Sequence, residues 1–121
     1  LLPTKPKLHV NQASPHLEQL HAALLLQLGS LAGRWQQLAQ AKGARLRVIQ
    51  VDDQGQIHLD EYEKLLNDRT KLVAIGHVSN VLGTVVPVKE VVARARARGI
   101  VTLVDGAQSI AHTPVNVQDI G

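Results

Sequence analysis

The chain has 121 residues, 45% of them hydrophobic, which suits one ordinary domain with one core and excludes general disorder. Its net charge of +3 comes from 13 basic and 10 acidic residues, and Trp35 and Tyr62 are the only aromatics. A small, scattered basic excess without stacking rings argues against a nucleic-acid partner. There is no cysteine, so a disulfide scaffold and an internal thiol nucleophile are both excluded.

The longest apolar run near the start, Ala22 to Leu26, is far below a membrane span of roughly 20 residues. No signal-peptide order is visible, so a cytoplasmic location is the expectation. The first residue is Leu1 rather than Met, as in a fragment or a processed product.

Residues 1–14, with Pro3 and Pro6, read as an irregular leader. Ser14 and Pro15 form a helix-start signal. Leu17, Leu20, Leu24, Leu28 and Leu31 then recur at spacings of three and four, which predicts an amphipathic helix ending near Gly29. A seam is expected around Gly29–Gly33, dividing a divergent leader (1–33) from the main domain (34–121).

A helix is predicted from Arg34 to Lys42, with Trp35, Leu38 and Ala39 inward and Gly43 as its stop. Arg45 to Val51 reads as a strand and Asp52 to Gly55 as a turn. Leu59, Tyr62 and Leu66 mark a short helix, supported by an Asp60–Lys64 pair at i,i+4. Leu72 to His77 is an apolar strand. Pro87 opens a helix with Val88, Val91, Val92 and Ala95 on one face, ended by Gly99. Arg94, Arg96 and Arg98 near its end suit the helix dipole. Ile100 to Val104 is a further strand, and Val115 to Val117 is a short strand or a turn into a helix. Strands alternating with helices predict an α/β fold: three layers, α/β/α, around a mainly parallel sheet.

Generic chemistry is sparse. There is no G-x-G-x-x-G, no phosphate-cradling P-loop and no nucleophile elbow. Six histidines lack metal-ligand spacing, so no metal site is expected. The sharp clue is Asp105, directly after the apolar run Ile100–Val104. Ligands of open α/β sheets bind at the carboxyl ends of strands. A carboxylate there needs a cation or hydrogen bonds. Taken alone, Asp105 could equally cap a helix, and Asn80 and Gly83 could be ordinary turn residues.

The order His77-Val-Ser-Asn-Val-Leu-Gly-Thr84, Pro87, then Val104-Asp-Gly-Ala-Gln108 is more specific. It resembles the fold-type-I pyridoxal-phosphate enzymes, in particular the class V aminotransferase group and the SUF-type cysteine desulfurases within it. Trp35 to Ala39, Gly43 to Val48, Thr70 to Ile75 and His112 to Gln118 fit the same pattern, so the resemblance covers residues 34–121.

It implies part of a large, cofactor-binding domain and pyridoxal 5′-phosphate as cofactor. Asp105 would pair with the ring nitrogen and Ala107 would let the ring lie close. Gln108 would hydrogen-bond the phenolic oxygen, with Asn80 beside the same oxygen and the substrate. His77 and Ser79 would support the strand end. For the parent family it implies an amino-acid substrate, cysteine, a homodimer and a role in sulfur metabolism that includes iron–sulfur cluster assembly.

Three departures bear on activity. No lysine follows Asp105, and the family's Schiff-base lysine belongs to a later motif. The sulfur-accepting cysteine is absent as well. Placed ungapped from Trp35, the family's ring-stacking histidine falls at Leu28–Gly29. No residue of the chain is therefore assigned a catalytic role, and the isolated chain is expected to be inactive. The alternatives are a degenerate, non-catalytic α/β module that binds a partner, a related class V aminotransferase or selenocysteine lyase, and, more weakly, a nucleotide-binding α/β protein.

Overall fold

A computed structural model describes residues 21–24, 31–79 and 82–121. Nine elements follow in chain order: β1 (His21–Leu24), α1 (Leu31–Ala41), β2 (Arg45–Val48), α2 (Leu59–Leu65), β3 (Thr70–Gly76), α3 (Val88–Ala97), β4 (Val101–Asp105), α4 (Ala107–His112) and α5 (Val117–Ile120) among the described residues. The four strands form one all-parallel sheet in the order β2-β1-β3-β4.

The chain steps from β1 to one side for β2, then crosses back over β1 to reach β3 and β4. Right-handed crossovers in opposite directions put their helices on opposite faces. α1 thus lies on one face and packs against β2, while α2 and α5 each pack against α3 on the other. The result is the expected three-layer α/β/α architecture.

Residues 21–24 overturn part of the leucine-helix expectation, because they are a strand, paired on both sides. A strand buried inside a parallel sheet is a continuous apolar run, and periodicity alone cannot separate such a run from a buried helix. The rest of that stretch, 15–20 and 25–30, lies outside the described residues. Gly33, part of the expected seam, sits within α1.

Other elements follow from local chemistry. Gly43 (φ 63°) ends α1 and Gly99 (φ 69°) ends α3, each in the left-handed conformation that favours glycine. Val88, Val91, Val92 and Ala95 are the buried residues of α3, as their spacing predicts. On α1 the expectation holds for buried Ala39 but not for Leu38, which is 48% exposed. Lys64 pairs with Glu61 at 2.9 Å, one residue off the expected Asp60. Asn116 opens α5 by accepting from the Gln118 and Asp119 amides.

The core lies between the sheet and α2–α3. It contains Ile49, Ile57, Tyr62, Leu66, Val73, Ile75, Val91 and Ala95. Tyr62 is fully buried, and its hydroxyl donates to the Val91 carbonyl at 3.0 Å, linking α2 to α3. Arg94 adds a 2.7 Å ion pair with Glu63 and a hydrogen bond to the Leu59 carbonyl. Lys89 reaches Asp119 at 2.8 Å and ties α5 to α3.

Burial pushes the Tyr62 hydroxyl up from 10.0 to about 12. The unfolded chain then releases this proton first, so stability is full below pH 10 and falls as the pH rises towards 12. Tyr62→Phe should cost about 0.5–1.5 kcal/mol at neutral pH. It should also make the loss of stability above pH 10 shallower than in the parent chain, as read from urea denaturation of the two proteins side by side.

Candidate functional site

β3 and β4 run in register from Leu72↔Val101 to Gly76↔Asp105. Side chains alternate across a strand. Val73, Ile75 and Val104 belong to the core on the α3 side, so Asp105 shares the opposite face with Val101 and Leu103. Those two are 65% and 46% exposed. The carboxylate therefore stands at the carboxyl end of a strand, on the less covered face of the sheet.

Just past β3 the backbone keeps the ladder going for one more step. The His77 amide donates to the Asp105 carbonyl at 2.9 Å, and the Val86 amide donates to the His77 carbonyl. The chain between them doubles back. Val78 bridges Val85 in antiparallel fashion, and the Ser79 amide donates to the Thr84 carbonyl at 2.9 Å. The Gly83 amide (φ 69°) donates to the Ser79 carbonyl, and the Leu82 amide to Ser79 Oγ at 3.2 Å. Asn80 lies outside the described residues, and both flanks of its loop are fixed by these bonds. His77 Nδ1 is buried and makes no hydrogen bond among the described residues.

Asp105 is half-buried. Its Oδ1 accepts from the Ala107 amide at 3.0 Å, an Asx-type turn leading into α4, while the N-cap position itself is Gly106. It takes part in no ion pair among the described residues. Ala107 and Gln108 form the first turn of α4 and are exposed. Asp105, Ala107 and Gln108 thus come together on one strand-to-helix turn. Among the described residues no group of three or more His, Cys, Asp or Glu could hold a metal. No helix among them is long and apolar enough to cross a membrane.

Sequence reasoning missed α4 and the residue that fastens it. Ser109 is completely buried; its Oγ donates to the Gly106 carbonyl at 3.1 Å, and its own carbonyl accepts from Thr113 Oγ1 at 3.0 Å. A Cβ on Gly106 would come within 3.3 Å of Ser109 Oγ and 3.4 Å of Ile110 Cδ1, so the turn closes tightly there. The available signal was a small polar residue four positions after the strand-end aspartate. Ser109→Ala should destabilise the chain by roughly 0.5–1.5 kcal/mol. Gln108→Ala, which alters only an exposed side chain, should stay within about 0.5 kcal/mol. Denaturant midpoints of the two variants check the difference.

The sequence profile of the family described as Aminotransferase class-V matches residues 7–121, reaching further toward the N-terminus than the resemblance over 34–121. A cysteine desulfurase of Synechococcus elongatus is 57% identical over 84 residues, 69% of this chain and 13% of that protein. One from Pectobacterium atrosepticum is 49% identical over 86 residues, covering 71% of this chain and 21% of that protein. The chain therefore spans a small part of the length of these relatives. The apo cysteine desulfurase of Thermococcus onnurineus superposes with a TM-score of 0.76 at 36% identity, over 84% of this chain and 26% of that one. By profile, sequence and fold, the chain belongs to the class-V aminotransferase family.

Proposed function

We propose that this chain is part of the cofactor-binding domain of a pyridoxal-phosphate-dependent cysteine desulfurase, a protein that takes sulfur from L-cysteine and leaves L-alanine. The observation that carries this reading is the Asp105 carboxylate. It is half-buried at the end of β4, bonded on one oxygen to the Ala107 amide, and without a cationic partner among the described residues. A carboxylate with a free oxygen and no cation beside it can take a charge-assisted hydrogen bond from a cationic N–H. A protonated pyridine nitrogen is such a donor. The names of the relatives favour cysteine over the substrates of other class V enzymes.

In this reading Asp105 holds a proton at the ring nitrogen. Ala107, with only a methyl group, leaves room for the ring plane. Gln108 donates to the phenolic oxygen, and Asn80 donates beside it. When bound, the cofactor supplies an electron sink for the negative charge that develops on the substrate. These 121 residues contain no lysine after Asp105 and no cysteine. They accordingly contribute the fold, the counter-charge and the hydrogen bonds, and neither covalent attachment nor a sulfur acceptor. For the whole protein the same reading implies a homodimer, a cytoplasmic location and sulfur delivery to iron–sulfur cluster assembly.

Pyridoxamine 5′-phosphate tests the site, because it carries no aldehyde to react with surface lysines. Its fluorescence titration should show saturable binding to the chain. Asp105→Ala should weaken that binding by about 10- to 100-fold, the value of a hydrogen bond to a charged group. Gln108→Ala should weaken it by about tenfold or less, as for a neutral hydrogen bond. Equal affinity in the parent chain and Asp105→Ala would overturn the assignment. With pyridoxal 5′-phosphate itself, borohydride reduction and peptide mapping should find no single stoichiometrically modified lysine.

A further inference from the structure

The loop that carries Asn80 is flanked by a turn with no evident part in the chemistry. Asp52 Oδ1 accepts from both the Gln54 and Gln56 amides at 2.9 Å. The Asp52 amide donates to the Gln56 carbonyl, and the Gly55 amide to the Asp52 carbonyl, each at 2.9 Å. Val51 bridges Ile57 in antiparallel fashion, and Ile57 is anchored in the core. Four hydrogen bonds and one buried side chain thus hold a turn of a few residues in one shape.

This turn lies against Leu82 and Thr84. Gly55 adopts φ 77°, and a Cβ built on it would overlap Leu82 Cδ1 and come within 3.1 Å of Thr84 Oγ1. Leu82 and Thr84 are on the C-terminal flank of Asn80. Leu82 is 62% exposed, so the core does not fix it. Gly43 and Gly99 also have positive φ, at 63° and 69°, yet nothing lies within 4 Å of a Cβ built on either. Those two glycines answer a backbone requirement alone. Gly55 answers the same requirement and in addition leaves room for the loop.

We infer that the Asp52–Gly55 turn is a steric backstop for Leu82–Thr84, the described flank that follows Asn80, and that Gly55 is a positioning residue for the site. The inference rests on the reading of the β3–β4 strand ends as a cofactor site. A side chain at position 55 would push Leu82 and Thr84 outward, weakening the Ser79–Thr84 and Gly83–Ser79 backbone bonds. The flank of Leu82–Thr84 would then shift relative to Asp105, which is fixed separately through β4 and His77.

Amide hydrogen exchange on the full 121-residue chain, with pyridoxamine 5′-phosphate titrations in parallel, tests this. Gly55→Ala is compared with Gly43→Ala, which imposes the same backbone strain with no neighbour to displace. Gly55→Ala should speed exchange of the Ser79 and Gly83 amides by about tenfold or more relative to Gly43→Ala, the scale of losing one hydrogen bond. The Gly76 and His77 amides should exchange alike in both variants. Affinity for pyridoxamine 5′-phosphate should fall several-fold in Gly55→Ala and stay unchanged in Gly43→Ala.

Leu82→Ala removes the other side of the contact without straining the turn. It should speed the same two amides, which keeps the test decisive if Gly55→Ala does not fold. Exchange in Gly55→Ala or Leu82→Ala that matches Gly43→Ala would overturn the backstop, since Leu82 would then simply swing aside. Absence of binding by the parent chain, or binding indifferent to Asp105→Ala, would overturn the cofactor reading. The exchange pattern would still decide the backstop.

Discussion

The parallel pairing of β3 with β1 and β4 is the constraint from which the other features follow. Parallel neighbours cannot be joined by a hairpin; each pair needs a crossover, and the crossover helices cover the faces. β3 is buried along Val73, Ala74, Ile75 and Gly76. Its register with β4 ends at Gly76↔Asp105 and is locked by the His77 amide on the Asp105 carbonyl. A slip of one residue would turn every side chain of β4 to the other face. Asp105 would then meet the core occupied by Val73, Ile75 and Val91. The position of the carboxylate and the departure of the 77–86 loop are both consequences of that one register.

The charges divide along the same lines. On the α2–α3–α5 face they are paired: Arg94 and Arg98 with Glu63, Lys89 with Asp119, and Lys64 with Glu61. The last two pairs lie on open surface, and their neighbours simply favour the charged forms, raising both lysines and lowering Glu61. Such pairs contribute little each, about 0–1 kcal/mol. Across the sheet, Asp105 has a backbone amide for company and no cation among the described residues. An ionic seam joining helices is a matter of packing, whereas a solitary carboxylate at a strand end is a place where something else can bind.

Much of this was legible in the sequence where one physical signal dominated. The α3 face was written in the spacing of Val88, Val91, Val92 and Ala95, and its end in Gly99. β3 and β4 were plain apolar runs. Asp105 stood out because a carboxylate follows such a run directly, whereas Ala107, Gln108 and Asn80 carried meaning only through the family pattern. Residues 21–24 misled because an interior strand and a leucine-rich helix are both apolar. α4 has no apolar periodicity over its six residues. Ser109 is buried for a hydrogen bond rather than for hydrophobicity, which no pattern of apolar spacing records. The Gly55–Leu82 approach depends on tertiary structure, and the left-handed turn alone could only say that glycine fits.

The strand order also bears on how the chain acquires its structure. β1 is the first of the described strands yet sits inside the sheet, and its second neighbour, β3, arrives about fifty residues later, a costly loop to close before any contact rewards it. β3, α3 and β4 are consecutive and bring their own half of the core, so they can associate early with little loop entropy at stake. A chain emerging from the ribosome would therefore hold β1 and β2 without their central partner until β3 emerges. In that interval the hydrogen-bonding edge of β1 is open to pairing with another nascent chain, a liability created by topology rather than by any single residue.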